Sequence, residues 1–309
     1  MAALVLVGGW SLNSATSGTQ RKPPSAAPSQ AGEISITDDR GVTLVAKQPI
    51  RRIVTLAPHL SELAFAAGAG DKVVAVGSFS DYPAAALRLP TIGDASAIDL
   101  ERIVALRPDL VLGWRSGNRP GDIAKLEQMG IPVFVTEPEA PDDIPRLLRL
   151  IGMLAATMPS AELAAAQFEA QWQALRRRFA DARPVSVFIE IWHDPLTTVS
   201  GRHLISALIA SCGGRNVFSG AASLVPSVDV ESLFGEDPEA VIGAGSASDA
   251  TALEVAWRQY PGLRAVRGRR LYWVDADLIQ RQTPRIVQGL AQICAALNEV
   301  RAASAHQAR

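Results

Sequence analysis

Two glutamates and two cysteines are where residue type and spacing first suggest chemistry in this 309-residue chain. Glu101 and Glu231 hold the same place in a motif that occurs twice. Residues 98–113, Ile-Asp-Leu-Glu-Arg-Ile-Val-Ala-Leu-Arg-Pro-Asp-Leu-Val-Leu-Gly, align without gaps on residues 228–243 at an offset of 130. Asp99 matches Asp229, Pro108 matches Pro238, Val111 matches Val241 and Gly113 matches Gly243. Each copy reads as a capping Asp, a Glu in the first helical turn, a short amphipathic helix, a proline break and a buried strand. The helix dipole alone accounts for a carboxylate there. The functional alternative is one anion per lobe, a pair that suits a two-fold symmetric partner with basic pockets. Cys212 and Cys294 are either buried thiols or, in an exported chain, a disulfide.

Most enzymatic signatures are missing. The four histidines, 59, 193, 203 and 306, are far apart and lack metal-ligand spacing. No GxGxxG follows a strand, and GxxxxGK[ST], GxSxG and HExxH do not occur. Two cysteines exclude a CxxC or zinc arrangement. No catalytic residue, metal site or resident cofactor is expected.

Composition narrows the class further. Lys and Arg number 30 against 31 Asp and Glu, which argues against a nucleic-acid binder or a polybasic membrane-surface protein. No apolar run reaches the 18 or so residues that span a bilayer. The first 30 residues, apolar from Ala2 to Trp10 and then rich in Ser, Thr, Pro and Gln, read as an export signal without its basic n-region. A truncated signal and an exported protein are the expectation.

The elements that carry the two glutamates alternate strand and helix, the pattern of an α/β fold with parallel sheets. A hairpin is predicted around Asp38-Asp-Arg-Gly41. Ile53–Leu56 and Val73–Val76 read as buried strands flanking a helix from His59 towards Gly70. One internal repeat at this spacing means two similar lobes. A weaker echo pairs His59-Leu60 and Gly68-Ala-Gly70 with His203-Leu204 and Cys212-Gly-Gly214. Between the lobes, Ser160 reads as the N-cap of one long helix over 161–181, with an apolar stripe of Leu163, Ala166, Ala170, Leu175 and Phe179. The organisation is an export segment over 1–32, an N-terminal lobe over 33–158, an interlobe helix over 159–182, a C-terminal lobe over 183–303 and a tail over 304–309. Two such lobes leave a cleft between them, and a single stiff helical connection predicts small lobe motion.

Several motifs carry a resemblance. Arg52-Ile-Val-Thr-Leu-Ala-Pro58, Ser61-Glu-Leu-Ala-Phe-Ala-Ala-Gly68, Ser80-Asp-Tyr-Pro83, Asp99–Val111, Gly113-Trp-Arg115, Gly117-Asn118, Cys212-Gly-Gly, Asn216-Val-Phe218 and Thr283-Pro-Arg-Ile286 span about residues 50 to 300. Together they resemble the periplasmic vitamin B12-binding proteins of ABC importers, within the helical-backbone (class III) substrate-binding proteins. The resemblance implies a binding protein, not an enzyme, that carries cobalamin or a related corrinoid to a membrane permease dimer, and a monomer. It implies that Glu101 and Glu231 dock on permease arginines and that Cys212 pairs with Cys294. It places Phe79, Trp114 and the segment Asp277, Leu278, Ile279, Gln280 and Arg281 at the ligand, and Trp192 is added to them from its own position in the sequence.

The sequence departs from that family at the aromatic walls. Ala95 and Val225 stand where relatives carry Trp, Ile191 where they carry Phe, and Leu278 where they carry a further Trp. Trp192 and His193 could refill the space, and His193 as an axial ligand to a cargo metal is weighed against a surface turn before Pro195. Two rivals stay open. One is a haem- or siderophore-binding protein of the same fold, with Arg115, Arg119 and Arg281 as contributors to an anion site. The other is a tetrapyrrole-processing enzyme such as a metal chelatase, which needs a clustered His/Glu site.

Overall fold

The computed structural model describes residues 33–46, 49–94, 96–245 and 247–307, so the expected export segment and Ala95 lie outside the described residues. The chain begins with the predicted hairpin, β1 (Ile34–Thr37) and β2 (Thr43–Ala46), turned at Gly41 with φ +82°. Buried Asp38 shapes that turn. Its carboxylate accepts from the Arg40 and Val42 amides at 2.9 and 3.0 Å and from the Val135 amide at 3.2 Å, which fastens the hairpin to the first lobe.

The N-terminal lobe contains β3 (Ile53–Thr55), α1 (Pro58–Ala66), β4 (Val73–Val76), a small ribbon of β5 (Gly93–Asp94) and β6 (Ala97–Ile98), α2 (Leu100–Ala105), β7 (Leu110–Trp114), α3 (Pro120–Gln128), β8 (Val133–Thr136) and α4 (Asp143–Ala155). Next comes α5 (Met158–Arg178). The C-terminal lobe follows with β9 (Val185–Glu190), α6 (Leu204–Ser211), β10 (Gly214–Asn216), α7 (Val230–Glu236), β11 (Ala240–Gly245), α8 (Ala247–Trp257), α9 (Arg264–Arg267), β12 (Leu271–Asp275), α10 (Ala276–Ile279) and α11 (Ile286–Gln307). Helix α11 continues through the stretch read as a tail from 304, where no Gly or Pro stops it.

The two parallel sheets have one topology. Their strand orders are β4-β3-β7-β8 and β10-β9-β11-β12. In each, the first strand of the lobe lies inside, the second flanks it, and the later two extend the other way. The order therefore reverses between β3 and β7 and between β9 and β11. Outside the carboxyl ends of such a pair, flanking chain segments diverge and leave a crevice.

The sequence repeat is a structural repeat. Asp99 caps α2 by accepting from the Arg102 amide at 2.9 Å, and Asp229 caps α7 by accepting from the Ser232 amide at 2.6 Å. Arg107 and Asp237, each before its proline, share a left-handed φ of 45° and 38°. Cys212 and Cys294 form the disulfide, with Cα atoms 4.9 Å apart, and tie the end of α6 to α11.

The long helix corrects the sequence reading in two ways. It starts at Met158 with Pro159 in its first turn, so Ser160 is inside it and Thr157 precedes it. The Thr157 hydroxyl donates to the Ala67 carbonyl instead of capping the helix. Its buried face is Ala161, Ala165, Phe168 and Trp172, while Leu163 is 60% exposed. The stripe was phased on Leu163, but α4 packs along the small Ala face, where Ala161 comes close to Gly152. One continuous core runs through these helices from Ile53 and Leu110 to Val187 and Ile242, so the lobes are joined by packing as well as by chain.

Candidate functional site

The lobes meet at a buried carboxylate. Glu62, the fifth residue of α1, is 3% exposed and takes two arginines from the other lobe. Arg285 donates to it through Nε at 2.9 Å and Nη2 at 2.7 Å, and Arg281 through Nη1 at 3.1 Å. Arg281 also reaches Asp81 at 2.6 Å, Asp277 at 2.8 Å and the Phe79 carbonyl at 3.3 Å. The Arg285 guanidinium lies 4.0 Å above the Tyr82 ring. Three expected ligand residues, Phe79, Asp277 and Arg281, are thereby brought together at the junction. Leu278 and Ile279 are buried and seat α10 in the C-terminal lobe, while Gln280 is exposed.

Glu62, Asp81, Tyr82 and Arg285 were not singled out from the sequence, although each lies inside a quoted motif. Their pairing spans 219 and 223 residues between Glu62 and the two arginines, which no local pattern reports.

Beside this junction a cleft of about 260 Å³ is lined from both lobes, by Trp114, Glu137 and Glu139 on one side and Arg202, His203 and Leu224 on the other. Trp114 stands edge-on to His59, with ring centroids 5.1 Å apart. Neither the Trp114 Nε1 nor the His59 Nε2 has a hydrogen-bond partner among the described residues. Burial, reinforced by the Arg281 guanidinium, pushes His59 down to about 3, so it is neutral. His203, its counterpart in the echo, caps α6 by accepting from the Ile205 amide at 3.2 Å, and burial lowers its pKa too.

Trp192 is not in that cleft. It is 66% exposed, donates to the Asp194 carbonyl at 2.9 Å, and lines a separate pocket with Glu190, Ile191, His193 and Trp273. Val225, at 44% exposure, neighbours the cleft residue Leu224. His193 is held through Nδ1, 2.7 Å from a Glu190 carboxylate oxygen, in the turn before Pro195. Burial raises the Glu190 pKa, against hydrogen bonds from Trp257 and His193 that favour the ionised form.

Glu101 and Glu231 are both exposed on the first turns of α2 and α7. Among the described residues no group of three or more His, Cys, Asp and Glu converges on a metal position, and no helix is long and apolar enough to cross a membrane.

Comparison with known proteins agrees with this geometry. A family model described as periplasmic binding protein matches residues 53–278. A vitamin B12-binding protein of Vibrio parahaemolyticus is 32% identical over 250 residues, 81% of this chain and 90% of the relative. The crystal structure of a periplasmic vitamin B12-binding protein of Vibrio cholerae superposes with a TM-score of 0.76 at 32% identity, covering 82% of this chain and 98% of that one. A periplasmic haem-binding protein from Roseiflexus has a TM-score of 0.72 at 26% identity, with 81% and 98% covered.

Proposed function

The chain belongs to the periplasmic binding protein family, and from that premise we propose that it captures cobalamin or a related corrinoid between its lobes and delivers it to an ABC importer. The observation that carries the reading is the identity to a vitamin B12-binding relative across nine-tenths of that relative's length. The lobes are 33–158 and 183–303, joined through 159–182. The protein works as an exported, periplasmic monomer and does no chemistry on its cargo.

The cargo meets Trp114 in the cleft and the Phe79, Asp277 and Arg281 group at its edge, with Gln280 beside them. Arg281 already has three carboxylates and a carbonyl as partners, so a ligand acceptor joins an oriented donor set instead of ordering a free side chain. Glu101 and Glu231 then meet arginines of a permease dimer, one per half.

Haem is the second reading, favoured by the likeness to the haem-binding protein. The cleft carries Glu137 and Glu139 against Arg202. Two carboxylates against one guanidinium suit a neutral, amide-rimmed macrocycle better than one with ionised carboxylate arms. Calorimetric titration with cyanocobalamin, haemin and a ferric siderophore tests the reading. Submicromolar binding of cyanocobalamin alone is expected, and binding of haemin or the siderophore in its place overturns it.

A further inference from the structure

The pocket around Trp192 lies where the C-terminal sheet reverses its strand order. Glu190, Ile191, Trp192 and His193 leave the carboxyl end of β9, Ala244 is near the end of β11, and Ala252, Ala256 and Trp273 close the sides. At about 240 Å³ it has room for one side arm of a ligand. Two of its lining residues, Trp273 and His193, carry polar atoms. The Trp273 Nε1–H is buried and has no acceptor among the described residues. His193 is fixed through Nδ1, 2.7 Å from Glu190 Oε1, while Trp257 donates to Glu190 Oε2 at 2.6 Å.

The tautomer follows from the partners. Burial raises the Glu190 pKa while the bonds from Trp257 and His193 favour its ionised form. With Glu190 ionised, as the proposal requires at the pH 8 of its test, the carboxylate only accepts, so the single proton of the His193–Glu190 pair is on Nδ1 and Nε2 offers a lone pair. The pocket thus offers one N–H donor and one nitrogen acceptor above a buried negative charge. A primary amide is the complement of that pair. Its carbonyl accepts from Trp273 and its NH₂ donates to His193 Nε2. A carboxylate of the same shape has no proton for Nε2 and is repelled by Glu190.

We propose that this pocket is a ligand subsite that accepts a neutral primary-amide arm of the cargo and rejects a carboxylate arm, with Trp273 and His193 touching the arm and Glu190 as the positioning residue that sets the imidazole tautomer. The inference rests on the corrinoid reading, since a corrin rim carries primary amides whereas haem carries carboxylates. It gives His193 a function other than axial ligation of a cargo metal.

The test is calorimetric titration at pH 8 with cyanocobalamin and with its b, d and e monocarboxylic acids, in which one rim amide is hydrolysed. At least one acid is expected to bind about ten-fold more weakly than the parent. In Glu190→Gln the amide oxygen must face Trp257, so its NH₂ faces His193 Nδ1 and moves the imidazole proton to Nε2. That variant is expected to lose the preference and favour the same acid over the parent. His193→Ala, at an exposed position, is expected to weaken the parent about five-fold and leave that acid unchanged, which keeps the test intact if Glu190→Gln fails to fold. Trp273→Phe weakens both alike. Equal binding of the parent and all three acids overturns the subsite alone, as does an undiminished preference in folded Glu190→Gln or in His193→Ala. No binding of any of the four overturns the corrinoid reading and the subsite with it.

Discussion

The two lobes share strand order, capped helix and proline break, yet they finish the same crevice with different chemistry. Glu190 lies opposite Gly243 in the C-terminal sheet, and the matching place in the N-terminal sheet, one past the Thr55–Leu112 pair, is Leu56. Around Leu56 the polar groups are small and mutually satisfied. Thr55 Oγ1 lies 2.6 Å from Ser61 Oγ, which donates to Ser80 Oγ at 3.0 Å. Around Glu190 they are a carboxylate, an imidazole and two indoles with a pocket between them. One topology therefore supports both a closed hydroxyl chain and an open charged crevice. The choice depends on a single apolar-to-acid difference at the end of the first strand and on the turn that follows it. Fold and recognition are separable here, which is why a duplicated lobe can acquire a site without moving its strands.

What stays common to the lobes should be what faces a symmetric partner, and a double charge reversal tests this. Replacing Glu101 and Glu231 together by Lys is expected to lower import by about 50-fold in vesicles bearing the permease and its ATPase, with ligand affinity unchanged within about two-fold. Each single change should give a partial loss of similar size. A loss confined to one lobe would mean that the repeat is only structural, with the dipole explaining the carboxylates. A parallel fall in affinity would remove the docking role altogether.

The junction is where the lobes depend on each other. Arg281→Ala with Arg285→Ala leaves Glu62 buried without a cation, and breaking such a pair costs about 3–5 kcal/mol. Denaturant unfolding should show that loss as one cooperative transition shifted to lower concentration. Two separated transitions would show instead that the arginines were the main coupling between lobes and that the shared core through α4, α5 and α11 is secondary.

The echoed histidines give a smaller effect with a definite sign. His59 has its folded pKa lowered to about 3 by burial, below the 6.5 of the unfolded chain. Below pH 6.5 the unfolded state takes up a proton that the native state refuses, so stability falls as pH falls, at about 1.4 kcal/mol per pH unit. Between pH 6.5 and 5, above most carboxylate titrations, about 2 kcal/mol should be lost. His59→Leu is expected to flatten that slope. An unchanged slope would assign it to His203, whose pKa burial also lowers.

The repeat, the hairpin and the alternation of strands and helices were legible because each is a local pattern: a capping Asp, a Gly at positive φ, an apolar β-branched run. The phase of α5 was not. Leu163 is the more hydrophobic residue, but the partner helix needed close approach at Ala161 and Ala165, and that is a property of the pair of helices. The site was half legible. Arg281, Asp277 and Phe79 were each named from their motifs and meet at the junction, whereas Glu62 and Glu190 acquire meaning from partners 219 and 67 residues away. Trp192 was read as helping to refill the cleft, and it lines the pocket at the end of β9 with Ala252 and Ala256 of α8.

The smallest effect separates the lobes at the docking face itself. One turn after each glutamate is an exposed apolar side chain at the same repeat offset, Val104 at 42% and Phe234 at 41% exposure. Exposure is equal, so any difference in what they contribute comes from size. Phe234 is steadied by an edge-on contact with Tyr260 at 6.4 Å, which lowers the entropy lost on docking. Truncation of each to Ala should weaken permease binding by about 1 kcal/mol for Phe234, roughly five-fold, and by less for Val104. Ligand affinity should stay put in both. Equal losses would mean that the permease makes the same contact with both lobes and that the aromatic ring in the C-terminal one serves only Tyr260. No loss in either would confine the docking contact to the two carboxylates.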